Sequence, residues 1–227
     1  MSSDDPKWYQ YHLPNTFLLK CELEQKYVDF LWKCIEESAE IKKDAKSNLA
    51  GNISESIYLT DTDDYFFNNV LKEPCEQYLQ QNPEIVTNRN TFTPFGINKL
   101  KLTNFWVNSQ RQTEFNPVHN HGGVLSFVIW MKIPTDYKEQ HEIPFVKESN
   151  TPMASDFQFL YTDIMGTIKG CNLLMDEEVE GTMMVFPSSL LHQVYPFYNC
   201  DDDRISISGN MYFDHDKMYD YFFREDG

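Results

Sequence analysis

His119-Asn120-His121-Gly122-Gly123 sets two imidazoles one residue apart, just ahead of a glycine pair. Side chains alternate along extended backbone, so both rings leave the same side of the chain. A third imidazole follows in Phe186-Pro187-Ser188-Ser189-Leu190-Leu191-His192, and a fixed cation in Arg204-Ile205-Ser206-Ile207-Ser208. The same alternation puts Arg204, Ser206 and Ser208 on one face and Ile205 and Ile207 on the other. Three neutral nitrogen donors on a rigid sheet suit a mid-series transition metal, whereas calcium and magnesium want oxygen. A polar face inside a small barrel needs a ligand or partner to satisfy it.

Strands surround this stretch. From Asn98 onward, Leu100, Leu102, Asn104, Trp106 and Asn108 share one face by alternation, and Lys101, Thr103, Phe105 and Val107 the other. Asn104 and Trp106 are therefore candidates to contact a cofactor, with Trp106 equally readable as core. Ser126 is a weaker candidate. The run 124–131 is mostly apolar and belongs in the middle of a sheet. Further strands are expected at 157–161, 166–174, 181–186 and 204–213. Phe127, Trp130, Phe157, Phe159 and Tyr161 read as core. Residues 135–156 are charged and broken by proline, which predicts a long loop of the kind that serves as a lid. Asp201-Asp202-Asp203 reads as a solvated hairpin tip, and an ion pair between it and Arg204 rivals the ligand-binding role. His12, His141 and His215 read as surface or hydrogen-bonded side chains.

Upstream, residues 1–15 form an irregular leader and 16–20 a short strand. Tyr27, Val28, Leu31, Trp32 and Ile35 recur at helical spacing, predicting a surface helix over 22–41. Residues 42–52 read as a loop and 57–59 as a brief strand. Asp61 caps a second helix, whose buried face is Phe66, Phe67, Val70, Leu71, Tyr78 and Leu79. Pro74 should kink or split it, and Pro83 marks its end. Two helices followed by many short strands predict a mainly β fold with packed helices, a jelly roll. The chain reads as one domain over 1–227: supporting helices over 1–97, a β-barrel over 98–213, and an aromatic-rich tail over 214–227.

Composition limits the function classes. An apolar share of 41% and an aromatic share of 15% exclude a disordered chain. No apolar run approaches the roughly 20 residues that cross a bilayer. A formal charge of −16 repels phosphate backbones and anionic membranes, which disfavours a nucleic-acid substrate. Five cysteines, odd in number and without close pairing, point to free thiols in a reducing, cytoplasmic compartment. The polar, acidic N-terminus has the character of neither a secretory signal nor a transit peptide.

The order of these motifs carries a resemblance. Asn116-Pro117-Val118-His119-Asn120-His121-Gly122-Gly123, then Ser126, then Gly181 with Phe186-Pro187 and His192, then Arg204-Ile205-Ser206, resembles the Fe(II)- and 2-oxoglutarate-dependent oxygenases. Among them it is most similar to small bacterial and phage members near the prolyl-hydroxylase-like group, over roughly residues 98–213. The resemblance implies a double-stranded β-helix, cupin-like, with iron at its open end. It matches His119 and His192 to the family's histidine ligands, and Arg204 and Ser206 to the pair that clamps the far carboxylate of 2-oxoglutarate. The implied cofactors are Fe(II) and 2-oxoglutarate, with ascorbate an optional third. Dioxygen and a peptidyl (prolyl included) or small-molecule C–H bond are the implied reactants.

One departure stands out. His121 lies where the family usually has a carboxylate, and the common facial triad is two histidines and one carboxylate. Three readings follow: His121 ligates, it swings away and leaves room for water or an anion, or the protein no longer catalyses. Two alternatives to the oxygenase remain open, a three-histidine cupin-type dioxygenase that needs no 2-oxoglutarate and a non-catalytic jelly-roll binding module.

Overall fold

The structure is a computed structural model, which describes residues 17–46, 49–82, 85 and 99–214. Among these, ten strands form two antiparallel sheets. Their bounds are β1 Leu19–Glu22, β2 Glu55–Tyr58, β3 Leu100–Gln110, β4 Asn116–His119, β5 Leu125–Lys132, β6 Phe157–Thr162, β7 Ile168–Leu173, β8 Thr182–Pro187, β9 Leu191–Val194 and β10 Arg204–Phe213. The larger sheet runs β1-β8-β5-β10-β3-β2 and the smaller β4-β9-β6-β7. Helices α1, Gln25–Ile41, and α2, Lys72–Gln81, pack on the outer face of the larger sheet. This is the expected jelly roll with helices against one sheet.

Two apolar clusters follow from this layering. Leu31, Phe66, Leu71 and Leu79 of the helical region meet Phe127, Ile129, Val185 and Ile207 of the larger sheet. On that sheet's inner face Val128, Trp130, Met184 and Phe186 meet Phe157 and Phe159 of the smaller one. β5 lies between β8 and β10 and feeds both clusters by alternation, which is why its sequence is apolar throughout.

Local chemistry sets the helices. The backbone N–H groups of Phe66 and Phe67 donate to the Asp61 carboxylate at 2.8 and 2.9 Å, so Asp61 starts the second helical run as expected. Pro74 can neither donate to the carbonyl four residues back nor tolerate its approach. A π-helical turn over Phe67–Leu71 comes directly before α2 and absorbs the misfit. The helix ends at Gln81, and Pro83 lies outside the described residues, as do the leader, His12, His215 and the tail from 215 on.

Several expectations need correction. Residues 135–156 contain two short helices, α3 Tyr137–His141 and α4 Pro144–Lys147, the first capped by Asp136 accepting from the Lys138 N–H at 2.8 Å. Tyr161 is 42% exposed and is no core residue. Strands β4 and β9 are only four residues each, and β4 contains Pro117, which is tolerated because β4 is a sheet edge. The alternation assigned to β3 also fails. Its pairing with β10 shifts between Asn210 and Met211, with Asn210 opposite Asn104 and Met211 opposite Leu102, so Thr103 is an extra residue. That bulge reverses the faces: Leu100 and Leu102 join the helix-side cluster together with Phe105 and Val107.

Candidate metal centre and co-substrate pocket

His119 ends β4 and stands opposite His192 on β9 in the antiparallel register. His121 lies in the turn that follows, held by its backbone N–H donating to the Ser188 carbonyl at 2.8 Å. Ser188 is fixed in turn by the buried Ser126, whose hydroxyl lies 2.9 Å from the Ser188 hydroxyl and 2.8 Å from Asn210 Oδ1. Ser126 thus supports the histidine turn and does not line the pocket. Gly123, at φ +96°, turns the chain into β5.

The three rings converge. Their centroids are 4.2 Å apart for His119 and His192, 4.9 Å for His121 and His192, and 5.1 Å for His119 and His121. One ring nitrogen from each lies within 4.8 Å of the other two. His119 Nδ1 sits 2.7 Å from the Pro117 carbonyl, and His192 Nδ1 sits 3.0 Å from the Leu190 carbonyl. A carbonyl only accepts, so each Nδ1 carries its hydrogen and each Nε2 keeps its lone pair. His121 Nε2 lies 3.1 Å from His192 Nε2.

Burial keeps these rings neutral. It pulls His121 down to about 4, helped by the neighbouring His119, and His192 down to about 3, helped by His119. His119 is lowered as well, again chiefly by burial. Neutral imidazole is the form that ligates a metal. Two nitrogens each about 2.1 Å from one ion and at a right angle stand about 3.0 Å apart. The 3.1 Å between His121 Nε2 and His192 Nε2 fits that spacing. The donor set therefore fits a mid-series ion such as Fe(II).

Arg204 begins β10 and is 2% exposed. Its Nη2 donates to the Ser155 carbonyl at 2.9 Å and to the Ser155 hydroxyl at 2.5 Å, while its Nε has no partner. The guanidinium lies 5.1 Å from the centroid of the Phe197 ring. Burial lowers its pKa to about 10, which leaves it cationic at neutral pH. The rival pairing with the acidic tip is not found. Asp201 accepts from Gln112, Asp202 pairs with Lys132 and Asp203 with Arg111. The carboxylate that acts on Arg204 is instead Asp156, fully buried and 3.0 Å from His141 Nε2. His141 is thus hydrogen-bonded, as expected.

The histidines and Arg204 share one cavity of about 40 Å³, also lined by Trp106, Ser206 and Ser208. Trp106 packs against His121 at 5.6 Å, and its buried indole N–H has no partner. An unpaired indole donor, a free guanidinium Nε and two hydroxyls fit the carboxylate of an oxo acid. Asn104 is the exception among the predicted residues. The register keeps it on the same face as Trp106, but it does not line this cavity and borders a separate hollow beside Ser38 and Leu102. Residues missed by the sequence reading are Asn108, Asn116, Ser155 and Asp156. Asn108 and Asn116 line the cavity. Asn108 could have been found two residues beyond Trp106 on the same face.

Residues 104–210 match the family model described as putative 2OG-Fe(II) oxygenase. No curated protein matches the chain. Among solved structures the chain is similar to a prolyl-4-hydroxylase of Pseudomonas putida, at 14% identity and a TM-score of 0.49, over 86% of this chain and 92% of that one. It is also similar to a viral collagen prolyl hydroxylase of Paramecium bursaria Chlorella virus-1 in its 2-oxoglutarate complex, at 11% identity and a TM-score of 0.49, over 86% and 96%. The non-haem α-ketoglutarate-dependent epimerase SnoN of nogalamycin biosynthesis aligns at 10% identity and a TM-score of 0.50, over 87% and 78%. This last likeness supports the double-stranded β-helix as the fold. Residues 104–210 are thus similar to the 2OG-Fe(II) oxygenases, a family of dioxygenases. That family description implies Fe(II) and 2-oxoglutarate as cofactors, and His119, His121 and His192 are the group among the described residues that could hold a metal ion.

Proposed function

We propose that the protein is a hydroxylase in which His119, His121 and His192 hold iron and Arg204, with Ser206, receives the far carboxylate of 2-oxoglutarate. One observation carries the reading: three neutral imidazoles and one buried, partly unpaired guanidinium line a single cavity. Iron with 2-oxoglutarate and dioxygen supplies the oxidation of a C–H bond, yielding alcohol, succinate and carbon dioxide. The chain's own residues orient and exclude. Pro117 and Leu190 fix the tautomers of two histidines. Trp106 and Asn108 offer a donor and an acceptor inside the pocket, each without a present partner. Phe157 and Phe186 pack on His192 at 5.6 and 5.0 Å and keep water from its buried side.

The segment over 135–156 supports the pocket through Ser155, which holds Arg204 in place. The substrate is a peptidyl C–H bond, prolyl included, or that of a small molecule, and the charge of −16 suits a basic partner. The chain works as one domain in a reducing compartment, the cytoplasm: all five cysteines are free thiols, and no helix among the described residues is long and apolar enough to cross a membrane.

His121 in the carboxylate position favours one other reading, a three-histidine dioxygenase in which Arg204 binds the substrate's own carboxylate. Succinate release separates the two. Iron-loaded protein given 2-oxoglutarate and dioxygen should form succinate, and Arg204→Ala should raise the 2-oxoglutarate KM by about two orders of magnitude, as expected for loss of a buried charge-assisted contact. Substrate oxidation with no succinate formed would establish the alternative.

A further inference from the structure

Asn116 is three residues before His119, and on a regular strand the two would face opposite sides. They do not. The β4–β9 register runs from Asn116 opposite Val194 to His119 opposite His192, so three steps on β4 match two on β9. The irregularity at Pro117–Val118 brings both side chains to one face. Asn116 is 7% exposed and lines the cavity of the histidines.

Its carboxamide Nδ2 lies 3.1 Å from His119 Nε2. The amide orientation is fixed chemically. His119 Nδ1 spends its hydrogen on the Pro117 carbonyl, so Nε2 can only accept, and the Asn116 atom facing it must be the NH₂. That lone pair is the one a metal ion takes. The ion must therefore dislodge the Asn116 amide from where it now stands. The other end of the amide, Oδ1, is buried and accepts no hydrogen bond. The 3.1 Å spacing also equals that between His121 Nε2 and His192 Nε2, two atoms that would ligate side by side. Three imidazoles bring neither an oxygen donor nor a negative charge, and Fe(II) accepts both nitrogen and oxygen.

We propose that the Asn116 carboxamide turns on metal binding and that its Oδ1 becomes a fourth protein ligand. This rests on the three-histidine reading of the metal site. The device explains how a site with His121 in the carboxylate position still offers an oxygen donor. It leaves fewer positions for 2-oxoglutarate and dioxygen than a three-residue site does, so the Asn116 bond must lengthen or yield as they enter.

Anaerobic titration with Co(II), read by visible absorption and by affinity, tests this without turnover. Three variants are compared with wild type. His192→Ala should abolish tight binding; if it binds like wild type, the three-histidine reading itself fails. Asn116→Ala should weaken Co(II) binding at least about tenfold and strengthen the visible bands, as coordination number falls. Asn116→Asp, nearly isosteric, should tighten binding at least about tenfold. With His192→Ala impaired, unchanged affinity and spectrum in both Asn116 variants would overturn the fourth ligand alone. Tighter binding by Asn116→Ala would do the same, marking the amide as a competitor for the His119 lone pair.

Discussion

Burial of the imidazoles ties the metal-free protein's stability to pH. An unfolded histidine takes up a proton near pH 6.5, whereas in the folded protein His121 waits until about 4 and His192 until about 3. Both folded values are depressed, so the unfolded state binds more protons across that interval. The stability is full above pH 6.5 and is lost as pH falls, at about 1.4 kcal/mol per pH unit for each histidine. Thermal melts of metal-free protein should show this slope between pH 6 and about 4. A His121→Gln/His192→Gln double variant should flatten it, and an unchanged slope in that variant would refute the assignment. These histidines were legible from the sequence because an alternating pair and a later imidazole pointed to one ligand set. Arg204, Ser206 and Ser208 were legible because β10 alternates without interruption across them. Asn104 was misplaced because, although it shares the face of Trp106, it stands beyond the end of the cavity. Asn116 was passed over because it lies beside a bulge, where an extra residue reverses every face that simple alternation assigns.

At the scale of elements, β10 is the strand on which the two halves of the site depend. It pairs with β3 on one side and β5 on the other, and carries Arg204 at its start. Gly209 lets the Phe127 ring lie against this strand. A Cβ there would meet two Phe127 ring atoms at 2.6 Å and the Asn104 carbonyl at 2.9 Å. Gly209→Ala should therefore cost about 1–3 kcal/mol by overpacking, measured by urea unfolding, and a neutral result would mean that the ring relaxes freely. The segment between β5 and β6 also needs revision. Its proline and charges suggested an irregular loop, yet it forms two short helices and ends in the buried Ser155 and Asp156. Those two residues gave no signal in the sequence, because their partners His141 and Arg204 come from distant positions. Asp156→Asn removes the buried carboxylate that faces Arg204 and His141. We expect a loss of about 3 kcal/mol in the same assay, together with a raised KM for 2-oxoglutarate and unchanged iron affinity. A variant as stable as wild type would remove Asp156 from the support of Arg204.

Across the whole molecule, the layering explains why helices at one end of the chain matter to chemistry at the other. α1 and α2 cover the outer face of the larger sheet, so that its inner face and the smaller sheet are free to enclose the cavity. The general plan was readable from the switch between helical and alternating periodicity. The short strands β4 and β9, which carry His119 and His192, were too brief and too irregular to stand out. Their pairing is what turns two separate motifs into one site. The cavity holds only about three waters at 10–15 Å³ each, so the proposed binding of a five-carbon oxo acid at Arg204 requires the cavity walls to move. The central claim concerns iron at the meeting point of the two strands. Equilibrium dialysis under anaerobic conditions, with Fe(II) counted per chain, tests it most directly. One tightly held ion per chain in the wild type, lost in His192→Ala and in His119→Ala alike, is the predicted result. Retention of that ion by either variant would contradict it.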